Sequence, residues 1–130
     1  ELFDVALKES VDVAFLIPHD TSETTVVVAT RCEFANSNYG AIVEGSLTSA
    51  TFKNCVFNDN EVDGINMSDN ATIHLHGEAT AIHSNAHIGI IAWESGKVVI
   101  HLPSHHNTIY NNGKQDRRTA FGGTITLVED

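Results

Sequence analysis

The sequence predicts an all-β fold, a short solenoid of parallel strands wound in about four to five coils. Three observations predict it. Asn followed four residues later by Gly recurs at steps of 24 and 25 residues, short apolar runs alternate with polar residues around each copy, and no stretch shows a helix-length apolar stripe. One such unit cannot bury its apolar face alone. Stacked copies share a core, because equivalent residues then lie roughly 4.8 Å apart.

The repeat has three clear copies and one degraded copy. The Asn–Gly pairs are Asn36 with Gly40, Asn60 with Gly64, and Asn85 with Gly89. Each is preceded by a large apolar residue, namely Phe34, Phe57 or Ile82. We expect Asn and Gly to lie between strands, where the chain bends through positive φ. The degraded copy carries Ile109, Asn112, Gly123 and Ile125, with an insertion from Lys114 to Phe121.

The chain is predicted to be a single domain, 1–130. Residues 31–128 form the repeat coils. Residues 1–30 are expected to form an N-terminal cap and an irregular first coil, with strands at residues 11–17 and 25–30. Because the chain starts at Glu1 rather than Met and ends on a strand-like run, we expect a subunit or fragment of a larger protein or complex.

A known family shares this pattern. The residues that carry the likeness are Cys32-Glu33-Phe34, Asn36 and Gly40, then Cys55-Val56-Phe57, Asn60 and Gly64-Ile65, then Ile82, Asn85 and Gly89-Ile90. They resemble the right-handed parallel β-helix repeat family, the pectate-lyase-like superfold. The repeat spacing gives coils of 24–25 residues. The resemblance implies that they are right-handed and that Asn36, Asn60 and Asn85 stack as a ladder at the turns. It names no activity, because this superfold hosts lyases, hydrolases, epimerases, tailspikes and inert modules.

Charge and hydropathy exclude several functions. Seven Lys and Arg against 17 Asp and Glu give a net charge of −10, so neither a nucleic-acid partner nor a polybasic membrane anchor is expected. No apolar run approaches the roughly 18 residues of a membrane span. Two N-glycosylation sequons, at Asn66 and Asn70, slightly favour a secreted or extracytoplasmic chain, and the compartment stays open.

Histidine is the residue type that most suggests a metal. Seven of the eight histidines fall between His74 and His106, and the repeat register places His74 beside His101. Imidazoles suit zinc or another borderline metal. Solvated surface histidines and a pH-responsive patch are the alternatives. The predicted metal-site residues are His74, His76, His101, His105 and His106.

Calcium is the other candidate ion. Asp59, Glu61, Asp63 and Gly64 match the first, third, fifth and sixth positions of a calcium loop, but Asn70 stands where the bidentate Glu should be. A solvated acidic turn explains the same residues. No cofactor is therefore expected, with zinc or calcium as the possible exceptions.

Acid–base chemistry has one candidate pair. In the repeat register Asp69 and Glu94 are neighbours across two coils, which would allow catalysis if burial separated their pKa values. The adjacent Trp93, the only tryptophan, and Tyr110 could stack on sugar rings. A carbohydrate site with a polysaccharide ligand is thus one hypothesis, and packing of Trp93 against the neighbouring coil is the alternative.

The two cysteines, Cys32 and Cys55, fall at the same place in adjacent coils. Their Cα atoms are expected roughly 5 Å apart, which permits a disulfide. Stacked buried thiols are the alternative.

The function predicted from these features is a noncatalytic β-helix module that serves as a structural, binding or assembly unit. Open solenoid ends expose unpaired backbone groups, so a protein partner or self-association through the ends is expected. The segment Lys114 to Phe121, with Arg117 and Arg118, could be a contact loop. The alternative is a carbohydrate-active or carbohydrate-binding domain, similar to a polysaccharide lyase, epimerase or glycosidase.

Overall fold

The computed structural model describes residues 1–18, 23–101 and 108–129. In these ranges the chain forms 16 strands in three parallel sheets, and no helix occurs. The part of the chain described here therefore offers no helix long and apolar enough to span a membrane. The chain visits the three sheets in turn, so each strand pairs in parallel with the strand one coil before and one coil after it. The result is a β-solenoid of about five turns, which confirms the predicted fold class.

The first sheet has six strands, and the other two have five each. The first sheet contains β1 (Leu2–Phe3), β4 (Thr25–Thr30), β7 (Thr48–Lys53), β10 (Thr72–His76), β13 (Lys97–His101) and β16 (Thr124–Val128). The second sheet contains β2 (Ala6–Lys8), β5 (Glu33–Ala35), β8 (Val56–Asn58), β11 (Ala81–His83) and β14 (Ile109–Tyr110). The third sheet contains β3 (Val13–Ile17), β6 (Tyr39–Glu44), β9 (Ile65–Ser68), β12 (Ile88–Trp93) and β15 (Gln115–Ala120).

Period-two alternation decides which side chains enter the core. Along β10, Ile73 and Leu75 are fully buried, whereas the residues between and beside them point outward and are half-buried. Parallel pairing places Ile73 beside Ala50 and Val98 on the neighbouring strands, so columns of apolar side chains run along the solenoid axis. Aromatic rings also fill this core, and the rings of Phe34 and Phe57 stack with their centroids 4.8 Å apart.

A polar ladder runs along the turn that follows the second sheet. Asn85 Oδ1 accepts hydrogen bonds from the backbone N–H and the side-chain amide of Asn60, and Asn112 Oδ1 accepts the same pair from Asn85. The ladder continues through Ser37, whose N–H donates to Asn60 Oδ1. Asn36, predicted as a ladder residue, instead occupies the preceding exposed position with φ of 53°.

The glycine column of Gly40, Gly64 and Gly89 has a different cause from the one predicted. None of the three has positive φ. They are glycines because backbones approach closely: a Cβ on Gly64 would lie 2.6 Å from the carbonyl oxygen of Gly89 and 2.8 Å from the Asn85 amide. The lack of side chains at these glycines therefore leaves the space that the Asn ladder occupies.

Both ends of the chain are more regular than the sequence predicts. Strands β1, β2 and β3 pair in register with the next coil, and ion pairs join Lys8 to Glu33 at 2.8 Å and Arg31 to Asp4 at 2.7 Å. At the other end, the predicted insertion and contact loop contains β15, which pairs with β12. In this last described coil the residue stacked next to Gly89 is Asp116, and not Gly123 as the degraded repeat predicted.

Candidate functional site

Three of the predicted metal-site histidines lie together on the outer face of the first sheet. His74 and His76 are two residues apart on β10, so both side chains point outward, and His101 is the last residue of the adjacent β13. In-register pairing of these strands carries His101 to the position beside His76, one residue beyond the paired Leu75 and Ile100. His105 and His106, also predicted for this site, lie outside the described residues.

The three imidazoles are close enough to share one ion. His74 Nδ1 lies 2.9 Å from His101 Nε2, and the rings of His76 and His101 stack with centroids 3.9 Å apart. One ring nitrogen from each histidine lies within 4.8 Å of the other two. All three residues are half-buried, so the cluster is accessible from solvent.

The predicted carboxylate pair also forms. Asp69 and Glu94 occupy equivalent positive-φ turns after the third sheet, and the pair lines an open depression of about 440 Å³. A side-chain hydrogen bond with Asp69, together with the negative charges of Asp69 and Glu44, raises the pKa of Glu94. Both carboxyls lie on an open turn and not in a closed cleft, so the structure provides no burial that separates acid from base.

The raised pKa of Glu94 predicts the sign of a stability effect. Because the folded state holds this proton more tightly than the unfolded state, ionisation removes stability as pH rises from the unfolded pKa through the folded one. Glu94→Gln should therefore raise the melting temperature at neutral pH, and the gain should shrink as pH falls below both pKa values. Glu61→Gln removes the same net charge from an exposed position elsewhere. An equal gain in both variants would assign the effect to net charge.

Trp93 lies at one end of a separate groove on the outer face of the third sheet. The groove measures about 230 Å³ and its floor includes Ile88 and Ile91, which are 2% and 5% exposed. Phe121, 78% exposed, forms the rim with its ring centroid 6.5 Å from that of Trp93. Tyr39 lines this groove, whereas the predicted Tyr110 belongs to the second sheet and stacks on His83 at 5.1 Å. The structure does not bring Tyr110 and Trp93 together.

A hydrogen-bonded chain of side chains fixes the groove. The Trp93 Nε1–H donates to Asn66 Oδ1 at 3.2 Å, and Asn66 Nδ2 donates to Asp63 Oδ2 at 3.2 Å. Asp63 Oδ1 accepts from the backbone of Ile88 at 3.1 Å and lies 3.3 Å from His87 Nδ1. Arg118 of β15 also lines the groove. The predicted calcium-loop residue Asp63 is thus engaged in positioning the groove.

Sequence reasoning missed Asn66 and His87 as site residues, and it named Asp63 only as a calcium-loop residue. One signal was present: the position before each glycine of the column holds Tyr39, Asp63 and Ile88, so a carboxylate stands where its neighbours are aromatic or aliphatic. Asp63 is 4% exposed. A buried carboxylate at such a position calls for hydrogen-bond partners.

Cys32 and Cys55 are both buried free thiols. Burial raises the pKa of Cys55 to about 11. A thiol with so high a pKa is a poor nucleophile at neutral pH, which agrees with a role in core packing.

Comparison with models of protein families, with curated proteins and with solved structures finds no match to this chain. The site geometry and the solenoid fold are therefore the observations from which function is inferred.

Proposed function

We propose that the chain is a noncatalytic β-solenoid module that binds a neutral polysaccharide along the groove of the third sheet. The observation that carries this proposal is the fixed orientation of Trp93, whose indole N–H is held by Asn66 at 3.2 Å. A sugar ring presents an apolar face to an aromatic ring and hydroxyl groups to polar side chains. A rigid aromatic group reduces the entropy lost on binding.

The polar side of the groove suits hydroxyl groups. Asp63 and Asn66 offer carboxylate and amide oxygens, while His87 and Arg118 add donors. The apolar floor of Ile88 and Ile91 gives the mixture of apolar surface and few polar groups that is typical of small-molecule sites.

Charge favours a neutral ligand over a polyuronate. The net charge of −10 repels a polyanion at long range, although Arg118 is a local exception. The resemblance to the pectate-lyase-like superfold supports carbohydrate as the ligand class by analogy of fold. The proposed ligand nevertheless differs from a pectate-like acidic polymer.

Trp93 supplies its own assay because it is the only tryptophan. We expect neutral polysaccharides, tested as a soluble β-glucan, a galactomannan and a neutral xylan, to shift Trp93 emission and to retard the chain in affinity gels. Trp93→Ala should weaken retardation by about 30-fold, the effect of a central aromatic contact worth about 2 kcal/mol. Tyr110→Ala is the matched aromatic control and should bind as the parent chain. Retardation that is unchanged in Trp93→Ala would remove the groove from consideration.

A catalytic role for Asp69 and Glu94 is the second candidate, favoured by their shared hydrogen bond beside Trp93. Glu94→Gln separates the two candidates: it leaves binding intact if the module only binds, and abolishes release of reducing ends if the pair cleaves the polymer.

Assembly through the solenoid ends is the third candidate. The described terminal coils expose Val11, Leu16 and Leu127, which are 94%, 53% and 52% exposed. The edge strands also leave backbone groups without a strand partner on one side. Light scattering that gives the mass of a monomer over a range of concentrations would exclude self-association.

A further inference from the structure

The histidine cluster on the first sheet has a simple structural origin. Residues two apart on a β-strand point to the same face, and a residue on the neighbouring parallel strand lies roughly 4.8 Å away. His74 and His76 supply the first relation, and His101 supplies the second. Three imidazoles therefore form a triangle on a rigid scaffold of paired strands.

The distances fit a transition-metal ion. Zn–N bonds of about 2.0–2.1 Å in tetrahedral geometry place two coordinating nitrogens about 3.3 Å apart. The His74–His101 nitrogens are 2.9 Å apart, and no pair in the cluster exceeds 4.8 Å. The N–N distance in the cluster therefore differs from that in a tetrahedral zinc site by about 0.4 Å for one pair and by no more than about 1.5 Å for the others. Small side-chain rotations can make up these differences.

The donor set selects the kind of ion. Three imidazoles favour zinc and its borderline neighbours, whereas calcium and magnesium require oxygen ligands. Three protein ligands leave a fourth position for water, as in open zinc sites. Among the described residues of the neighbouring strand β7, Lys53 is paired in register with His76, and its exposed position lets solvent screen its charge.

We infer that His74, His76 and His101 bind one zinc ion on the outer face of the first sheet. The site is separate from the proposed polysaccharide groove, which belongs to the third sheet, and either can exist without the other. Zinc replaces the contact between His74 and His101, and in neutral imidazoles the ring proton between them moves to the other nitrogen of its own ring.

Calorimetric titration of zinc chloride into the metal-free chain, at a pH where imidazoles are neutral, tests this site. We expect one zinc ion per chain and no heat with calcium chloride. His101→Ala should weaken zinc binding by at least about 100-fold, more than the loss of an outer-shell partner costs. His83→Ala is the matched control, because His83 lies on the second sheet and stacks on Tyr110. It should bind zinc as the parent chain does.

Cobalt gives a second measurement that does not depend on heat. Co²⁺ bound to three imidazoles and water should show the intense visible absorption of a tetrahedral centre, and His76→Ala should lose it. Circular dichroism of each variant checks that the fold is retained. Absence of saturable zinc binding, or zinc affinity in His101→Ala equal to that of His83→Ala, would overturn the site.

Discussion

Asn85→Asp is expected to lower the free energy of unfolding by about 3–5 kcal/mol at neutral pH, the effect of a buried charge without full compensation. The substitution keeps the shape of the side chain, removes its two N–H donors and adds a negative charge. Asn85 is 1% exposed, and its Nδ2 donates to the Phe57 carbonyl at 3.1 Å and to Asn112 Oδ1 at 2.9 Å. A carboxylate oxygen would face two acceptors there.

Relaxation cannot easily repair this loss. Rotating the Asn112 amide to offer a donor would break its hydrogen bonds to the carbonyls of Ile82 and Tyr110. Burial should raise the pKa of the introduced carboxyl above its unfolded value. The deficit should therefore shrink as pH falls through that raised pKa, because the protonated group is neutral and can donate once.

Urea denaturation at neutral and acidic pH measures both parts of this prediction. Asn111→Asp is the matched control, since Asn111 is exposed in the equivalent turn of the next coil, and it should change stability by no more than about 0.5 kcal/mol. A loss of similar size in both variants, or a loss independent of pH, would mean that the ladder amides do not hold the coils together.

Phe57→Ala is expected to destabilise the fold by about 3–5 kcal/mol, the range for removing a buried aromatic ring. Phe57 is fully buried, stacks on Phe34 at 4.8 Å and meets Phe52 edge-on at 4.9 Å. Strand pairing above and below fixes the spacing between coils, so the walls of the cavity cannot collapse into it. We therefore expect a loss near the upper end of the range.

Equilibrium unfolding of two further variants makes this prediction specific. Phe57→Leu refills part of the cavity and should lose less than Phe57→Ala. Phe3→Ala removes a ring that is 53% exposed, so it should cost about 1 kcal/mol or less. Equal losses in Phe57→Ala and Phe3→Ala would contradict a rigid central core.

The repeat made the fold and part of the candidate site predictable. Three copies set the register, and that register correctly placed Asp69 beside Glu94. It was wrong by two residues for His101, which pairs in register with His76 and reaches His74 only through its side chain. The ladder was misassigned at Asn36 because Gly40 lies three positions after the ladder residue Ser37, whereas Gly64 lies four positions after Asn60. Asn36 happens to precede Ser37, so the sequence still shows Asn four positions before Gly in this coil.

The features that were not predictable depend on short strands or on side-chain direction. Strands β1 and β2 contain two and three residues, too few to show alternation. Strand β15 is the edge strand of the third sheet among the described residues, and polar residues such as Arg117 and Arg118 hide its pattern. The chain from Trp93 through Asn66 to Asp63 requires orientations across neighbouring coils that no repeat specifies.

The uniform coil length has a consequence for how the chain reaches its structure. Every strand pairing joins residues 23 to 27 positions apart. Divided by the 130 residues, this gives a relative contact order of about 0.2, in the range of domains that fold in milliseconds to seconds. None of these pairings, which cover the described strands, joins the two ends, so folding can advance one coil at a time. A ribosome adds about 25 residues in roughly 1–5 s, so each coil has time to dock on the preceding one while the next is being made.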